Sequence, residues 1–203
     1  MRTITAIESV TLDGVMQAPG GADEDTRGDF AHGGWARPYM DHVMGEVMGA
    51  GMAAGGPLLF GRRTYEQFAG FWPHQTDGNP FTPVLDAAEK YVASTTLPAG
   101  HRLPWERSTL LGADVPAAIT ALKQEDGADL TVLGSGVLVR SLLDRGLVDA
   151  LVLMIHPLVL GSGTRLFPER GRPYDLRLES CVPTSTGVII ATMRPQAPTG
   201  DAR

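Results

Sequence analysis

Two short runs in this chain carry residue types suited to holding anions. Leu130–Leu133 leads straight into Gly134-Ser135-Gly136 and then a helical pattern. Backbone amides at a helix N-terminus point at an incoming anion, and glycines let a diphosphate approach closely. The third position of the dinucleotide fingerprint is Val139, and no Gly-Lys-Ser/Thr is present, so neither the Rossmann fingerprint nor a P-loop is matched. A tight strand-to-helix turn would use the same glycines. The second run is Gly61-Arg62-Arg63-Thr64, again after a short apolar strand. Arginine's planar donors suit a phosphate monoester such as the 2′-phosphate of NADP, although two solvated surface arginines would have the same sequence. A phosphorylated dinucleotide needs one diphosphate and one monophosphate site, so the two runs together mean more than either alone.

Composition bounds the rest. The chain has 203 residues, 43% of them hydrophobic, and a net charge of −6. That length suits a single domain, expected over residues 1–194, with a frayed polar tail at 195–203. The acidic balance, without a Lys/Arg cluster larger than a pair, speaks against a nucleic-acid partner. No apolar stretch reaches the ~18 residues of a membrane span, and the N-terminal stretch alternates like a strand rather than reading as a signal peptide. A cytoplasmic location is expected. The lone Cys181 excludes an intrachain disulfide and has no visible activating context, and no His/Cys/Asp/Glu set has metal-ligand spacing.

The elements that must position these runs follow from pattern. Thr3–Thr11 alternates as a first strand and turns at Leu12-Asp13-Gly14-Val15-Met16. A polar, glycine-rich loop spans residues 17–34. Helical spacing runs from Pro38 to Ala54, where Met40, Met44, Met48 and Met52 form a stripe read as core packing. Strands are expected at Pro57–Phe60, Lys90–Ser94, Ser108–Leu111, Asp129–Leu133 and Asp149–Val159, with two late strands near 176–181 and 187–193. A short helix can open at Thr64, a loop fills Phe71–Pro83, Asp114 caps a helix carrying Pro116, and another helix runs from Val137 to Arg145.

Several of these motifs together resemble one family. Leu59-Phe60-Gly61-Arg62-Arg63-Thr64-Tyr65-Glu66 is similar to the strand-loop that holds the adenosine phosphate in dihydrofolate reductases. Leu12-Asp13-Gly14, Val132–Gly136 and His156–Phe167 resemble the reductase C-terminal domain of the riboflavin-biosynthesis deaminase/reductase. The likeness runs in order from about Thr3 to Met193. It implies an α/β fold of the dihydrofolate-reductase-like superfamily: a mixed, mainly parallel sheet of about eight strands, flanked by helices, with NADPH at the carboxyl ends of the strands.

By the same resemblance, Gly61, Arg62, Arg63 and Thr64 would hold the 2′-phosphate. Ser94 and Thr95 would flank the adenosine, and Gly134, Ser135, Gly136, Val137 and Leu138, helped by Thr164, would hold the diphosphate. Val15 and Met16 would lie near the nicotinamide. The acid that true dihydrofolate reductases carry on the first helix is missing: the family spacing lands at Met44-Gly45, and Asp41 and Glu46 face elsewhere. Folate reduction is therefore not expected.

Candidates for the substrate side are Trp35, Tyr39, Tyr65, Phe68, Trp72 and His156, with Asp13 and His156 as candidate catalytic groups. Asp13 can equally be a turn former, and His156 a hydrogen-bonded strand-end histidine. The expected activity is NADPH-dependent hydride transfer to a small heterocyclic or imine/carbonyl substrate. The alternative is a non-catalytic nucleotide- or flavin-binding protein. The resemblance further implies a homodimer through the late strands, where Val182, Val188, Ile189 and Ile190 supply either an interface or core.

Overall fold

The computed structural model describes residues 1–53, 55–76, 78–112 and 114–196. Alternation in β1 (Ile4–Thr11) puts Ile4, Ala6, Glu8 and Val10 on one buried face. The short apolar runs β2 (Leu58–Gly61), β3 (Lys90–Ala93) and β5 (Leu130–Leu133) have too few polar residues to face water and lie inside the sheet. With β4 (Ser108–Leu110), β6 (Ala150–His156), β7 (Leu176–Pro183) and β8 (Ile189–Pro195) they form one eight-stranded sheet, in the order β4-β3-β2-β5-β1-β6-β8-β7. All pairings are parallel except β6–β8 and β8–β7. This is the mixed, mainly parallel architecture expected.

Helices cover both faces because parallel neighbours require crossovers. On one face, α4 (Val115–Gln124) and α5 (Gly136–Leu143) press Ile119, Leu122, Leu138 and Leu142 onto Ile4, Ala6, Val10, Val132 and Leu151. On the other lie α1 (His42–Ala53), α2 (Arg62–Phe71) and α3 (Phe81–Ala87). There Tyr65, Leu85 and Trp105 pack on Phe60 and Val92, and Met44 packs on Met154 and Ile190. Each such Leu or Ile taken out of water contributes roughly 1.5–3 kcal/mol. Asp114 caps α4 as its sequence foretells, accepting from the Ala117 amide at 3.0 Å.

Some boundaries differ from the pattern. α1 begins at His42, because Arg37–Tyr39 forms a separate 3-10 turn with Pro38 inside it. Met40 therefore sits outside the helix at 53% exposure, whereas Met44 is buried in the core; Ala54 lies outside the described residues. α3 occupies a stretch whose first part reads as loop, since its seven residues show too little periodicity to announce a helix. Pro195, placed in the tail by its sequence, pairs with Leu176 at the end of β8, and residues 197–203 lie outside the described residues.

Candidate functional site

All six parallel strands end on one edge, and the two anion-suited turns meet there because β2 and β5 are neighbours. Gly61 is the N-cap of α2 and has no side chain to cap it, and Ser135, the N-cap of α5, makes no side-chain cap hydrogen bond. The first-turn amides of both helices are thus left without side-chain acceptors. Gly134 (φ +56°) and Ser135 (φ +66°) are both left-handed, which turns the chain sharply from strand into helix. The Ser135 hydroxyl accepts the Gly61 amide at 2.9 Å and reaches Leu133 O at 3.3 Å. A Cβ on Gly134 would stand 3.4 Å from Thr64 Cγ2. The two turns form one continuous cradle, and Val137 at its rim is 62% exposed.

The arginines are not equivalent. Arg62 Nη1 donates to both carboxylate oxygens of Glu66, at 3.0 and 3.2 Å. Arg63 is exposed and, among the described residues, makes no ion pair. Its field reaches Asp25, whose carboxyl is held below the usual range first by its hydrogen bond from Arg27 and also by Arg63. Ser94 is buried, and its hydroxyl accepts from the Thr96 and Leu97 amides, while Thr95 beside it is exposed.

The segment after β1 closes the other side. Val15 bridges Arg165, Met16 N donates to Thr164 O, and Leu166 N donates to Gly14 O. Gly136 lies directly beneath the Met16 thioether, and a Cβ there would also meet Leu166 Cδ1 at 3.0 Å. Leu138 is buried in the core, so only its amide can serve a ligand. Gln17 fastens the long loop. Its Nε2 donates to Asp25 O and Arg27 O, its Oε1 accepts from Thr164 N and Oγ1, and its carbonyl accepts from Trp35 Nε1 at 2.7 Å. Gln67 on α2 donates to Glu24 O, so the loop rests beside the arginine turn.

Several assignments are corrected. Asp13 is a staple: its carboxylate accepts from Thr11 Oγ1, Leu160 N and Gly161 N, and pairs with Arg165 at 3.5 Å. The Thr11 hydrogen bond, above all, pulls its pKa down to about 2, which leaves no proton to donate. Val15 is fully buried and turns its side chain into a small core with Phe30 and Trp35. Tyr65 is 1% exposed, with its hydroxyl engaged by Ser108 Oγ and Trp105 N, so it packs the core and lines nothing. Phe68 and Trp72 stack beside it, half-buried, in a ladder with Phe60 and Phe71.

His156 is fully buried at the end of β6, edge-on to Trp35 and Tyr39 at 5.0 and 5.6 Å. Its Nδ1 faces two carbonyls, Met154 O at 2.9 Å and Val10 O at 3.3 Å, so Nδ1 carries the proton and Nε2 the lone pair. Burial lowers its pKa and keeps the ring neutral, which makes it an acceptor, not an acid. Thus His156, Trp35 and Tyr39 come together, whereas Phe68 and Trp72 belong to another cluster.

Sequence reasoning passed over Glu8. It lies on β1 in phase with Ile4, Ala6 and Val10, 4% exposed, and its Oε1 has no partner. An acid in the inward phase of an apolar strand was the available signal. Among the described residues, no group of three or more His, Cys, Asp or Glu side chains could hold a metal ion. Among the described residues, no helix is long and apolar enough to cross a membrane.

Sheet order and helix placement define a dihydrofolate-reductase-like α/β protein. Within that class the chain belongs to the RibD C-terminal domain family, whose profile matches residues 2–190. Uncharacterized protein YyaP of Bacillus subtilis (strain 168) is 25% identical over 135 residues, covering 65% of this chain and 70% of that protein. The crystal structure of a protein from Shewanella sp. PV-4, provisionally assigned to riboflavin biosynthesis, superposes with a TM-score of 0.66 at 17% identity, over 96% of this chain and 99% of the other. Dihydrofolate reductase from Enterococcus faecalis, complexed with NADP(H), gives a TM-score of 0.58 at 13% identity, over 96% and 97%. At these identities the superpositions establish the fold.

Proposed function

We propose that this protein is an NADPH-dependent reductase acting on a small heterocyclic or imine/carbonyl substrate. The observation that carries the reading is the joined pair of uncapped helix N-termini, tied by the Ser135–Gly61 hydrogen bond at the carboxyl edge of the sheet. Backbone donors and a glycine that leaves room for close approach fit a diphosphate at α5, and the exposed Arg63 fits a phosphate monoester at α2. That a protein of this fold is complexed with NADP(H) supports the choice of nucleotide.

When bound, NADPH would supply a hydride. The chain's own contribution is orientation. Gly134–Leu138 amides and Arg63 would fix the phosphates, and the Met16 side chain must move off Gly136 to admit them. The substrate side would lie on the face of α1, where the unpartnered His156 Nε2 is buried behind Trp35 and Tyr39 and would serve as an acceptor once those rings move aside. Calorimetric titration with NADPH and NADH tests the reading: tighter binding of NADPH supports it, and equal affinities or no binding of either defeat it. A homodimer is part of the proposal, formed through β7, whose hairpin with β8 exposes Leu178, Val182 and Ile189.

A further inference from the structure

Three buried strand side chains can carry a charge, and only one of them is fully engaged. Lys90 donates to three carbonyls, Asp86 O, Ala88 O and Glu106 O, and lies 4.3 Å above the Trp105 ring. His156 has its Nδ1 proton satisfied, and its unpartnered Nε2 belongs to the substrate side already described. Glu8 has no hydrogen bond from any described residue, and its Oε1 is sealed from water. A carboxyl so placed costs stability, and a buried polar group without a partner calls for an explanation.

Its position says what. β1 and β5 pair from Ile4↔Leu130 to Ile7↔Leu133 and then part, the last link being Gly134 N to Ile7 O. Glu8 is the first β1 residue past that split, on the α5 face, opposite Leu153 of β6. A dinucleotide held at α2 and α5 would run from the arginine turn on the β2 side, past the α5 N-terminus, toward β1. Its far ring would then fall where β5 and β1 separate, the kind of crevice in which open parallel sheets hold ligands.

Resting on the reductase reading, we infer that Glu8 is a redox-discriminating proton site: neutral in the free protein, it ionises when a cationic ring is held at the split, so the oxidised cofactor binds with loss of a proton and the reduced one does not. The proton leaves to solvent and the carboxylate then faces the positive ring. Supporting this, burial raises the Glu8 pKa to about 8, against which only Arg140 on α5 acts. Arg140 is itself held by Arg165 O and Leu166 O, and β5 and β6 present no charge to Glu8. Glu8 therefore sets which redox state is retained at a given pH.

Two measurements test this. Infrared difference spectroscopy on the free protein, wild type against Glu8→Gln, should show a protonated carboxyl persisting at pH 7; a Glu8 carboxylate already present at pH 6 overturns the inference. Calorimetry in buffers of different ionisation enthalpy should then show proton release on binding NADP+ but not NADPH. NADP+ affinity should rise about tenfold per pH unit between roughly pH 6.5 and 8. The 2′-phosphate titrates alike in both nucleotides and cancels in the comparison. In Glu8→Gln the difference should vanish. Equal release by both nucleotides, or release unchanged in Glu8→Gln, overturns the inference while leaving the reductase reading intact. Failure of both nucleotides to bind removes that reading and the linkage with it.

Discussion

The Ser135 hydroxyl and the Gly61 amide, 74 residues apart in sequence, meet at 2.9 Å and lock the α2 and α5 turns into one surface. Ser135 does this from a left-handed backbone conformation that costs a non-glycine residue about 1 kcal/mol. Ser135→Ala keeps that strain and loses the bond. It should lower unfolding stability by ~1 kcal/mol and NADPH affinity about five- to tenfold, read by urea denaturation and calorimetry.

Arg63 and Arg62 should separate. Arg63→Ala should weaken NADPH binding about ten- to a hundredfold, for loss of a charge-assisted contact of ~1.5–3 kcal/mol, and leave NADH nearly unchanged. Arg62→Ala should do less, because Glu66 already holds that guanidinium. Parallel titrations of both variants with both nucleotides decide it, and loss of NADH binding in either would count against the assignment.

Glu8 also leaves a mark on stability. Its folded pKa is raised from 4.5 to about 8, so its contribution is fully present below 4.5 and is lost as pH rises through 8. Wild-type stability should fall by up to ~1.4 kcal/mol per pH unit across that window, relative to Glu8→Gln. Chemical denaturation of both proteins at several pH values gives the slope difference directly, and parallel curves would refute the assignment.

Gly136→Ala should destabilise the fold by roughly 1–3 kcal/mol, because its Cβ would strike the Met16 thioether and crowd Leu166. In a Met16→Ala background most of that cost should disappear. Thermal melts of the two single variants and the double variant measure the coupling. Additive losses would mean that Met16 does not occupy the cradle.

Self-association through β7 should be sensitive to charge on its exposed apolar residues. Leu178→Lys with Val182→Lys should shift a sedimenting dimer to monomer without altering the circular dichroism. A wild-type protein that sediments as a monomer at micromolar concentration would rule the dimer out.

Much of this was legible in the chain. The strands were, because short apolar runs bounded by glycine and proline have few other solutions, whereas the meeting of the two glycine turns needed the strand order that makes β2 and β5 neighbours. Val188 and Ile190 turned out to be core and Ile189 exposed, as the period of a half-covered strand requires. What could not be read was the use of individual side chains. Tyr65 and Asp13 look like site residues until Trp105 and Leu160, distant in sequence, are seen to engage them. Glu8 looks like one more surface acid until its phase on β1 is combined with the burial that α5 imposes.

Gln17 gives the long loop a character of its own. One buried amide side chain fastens its far limb at Asp25 and Arg27, its anchor at Thr164 and, through its carbonyl, its exit at Trp35. The intervening residues answer to that clasp, to the Gln67–Glu24 contact and to the packing of Phe30 on Val15. The segment is therefore a cassette: its tip can be rewritten in length and chemistry, as an antibody loop is on its framework, while β1 and the joined α2 and α5 turns keep their shape. On the reductase reading proposed above, a scaffold held in this way would offer new substrate selectivities by loop replacement alone.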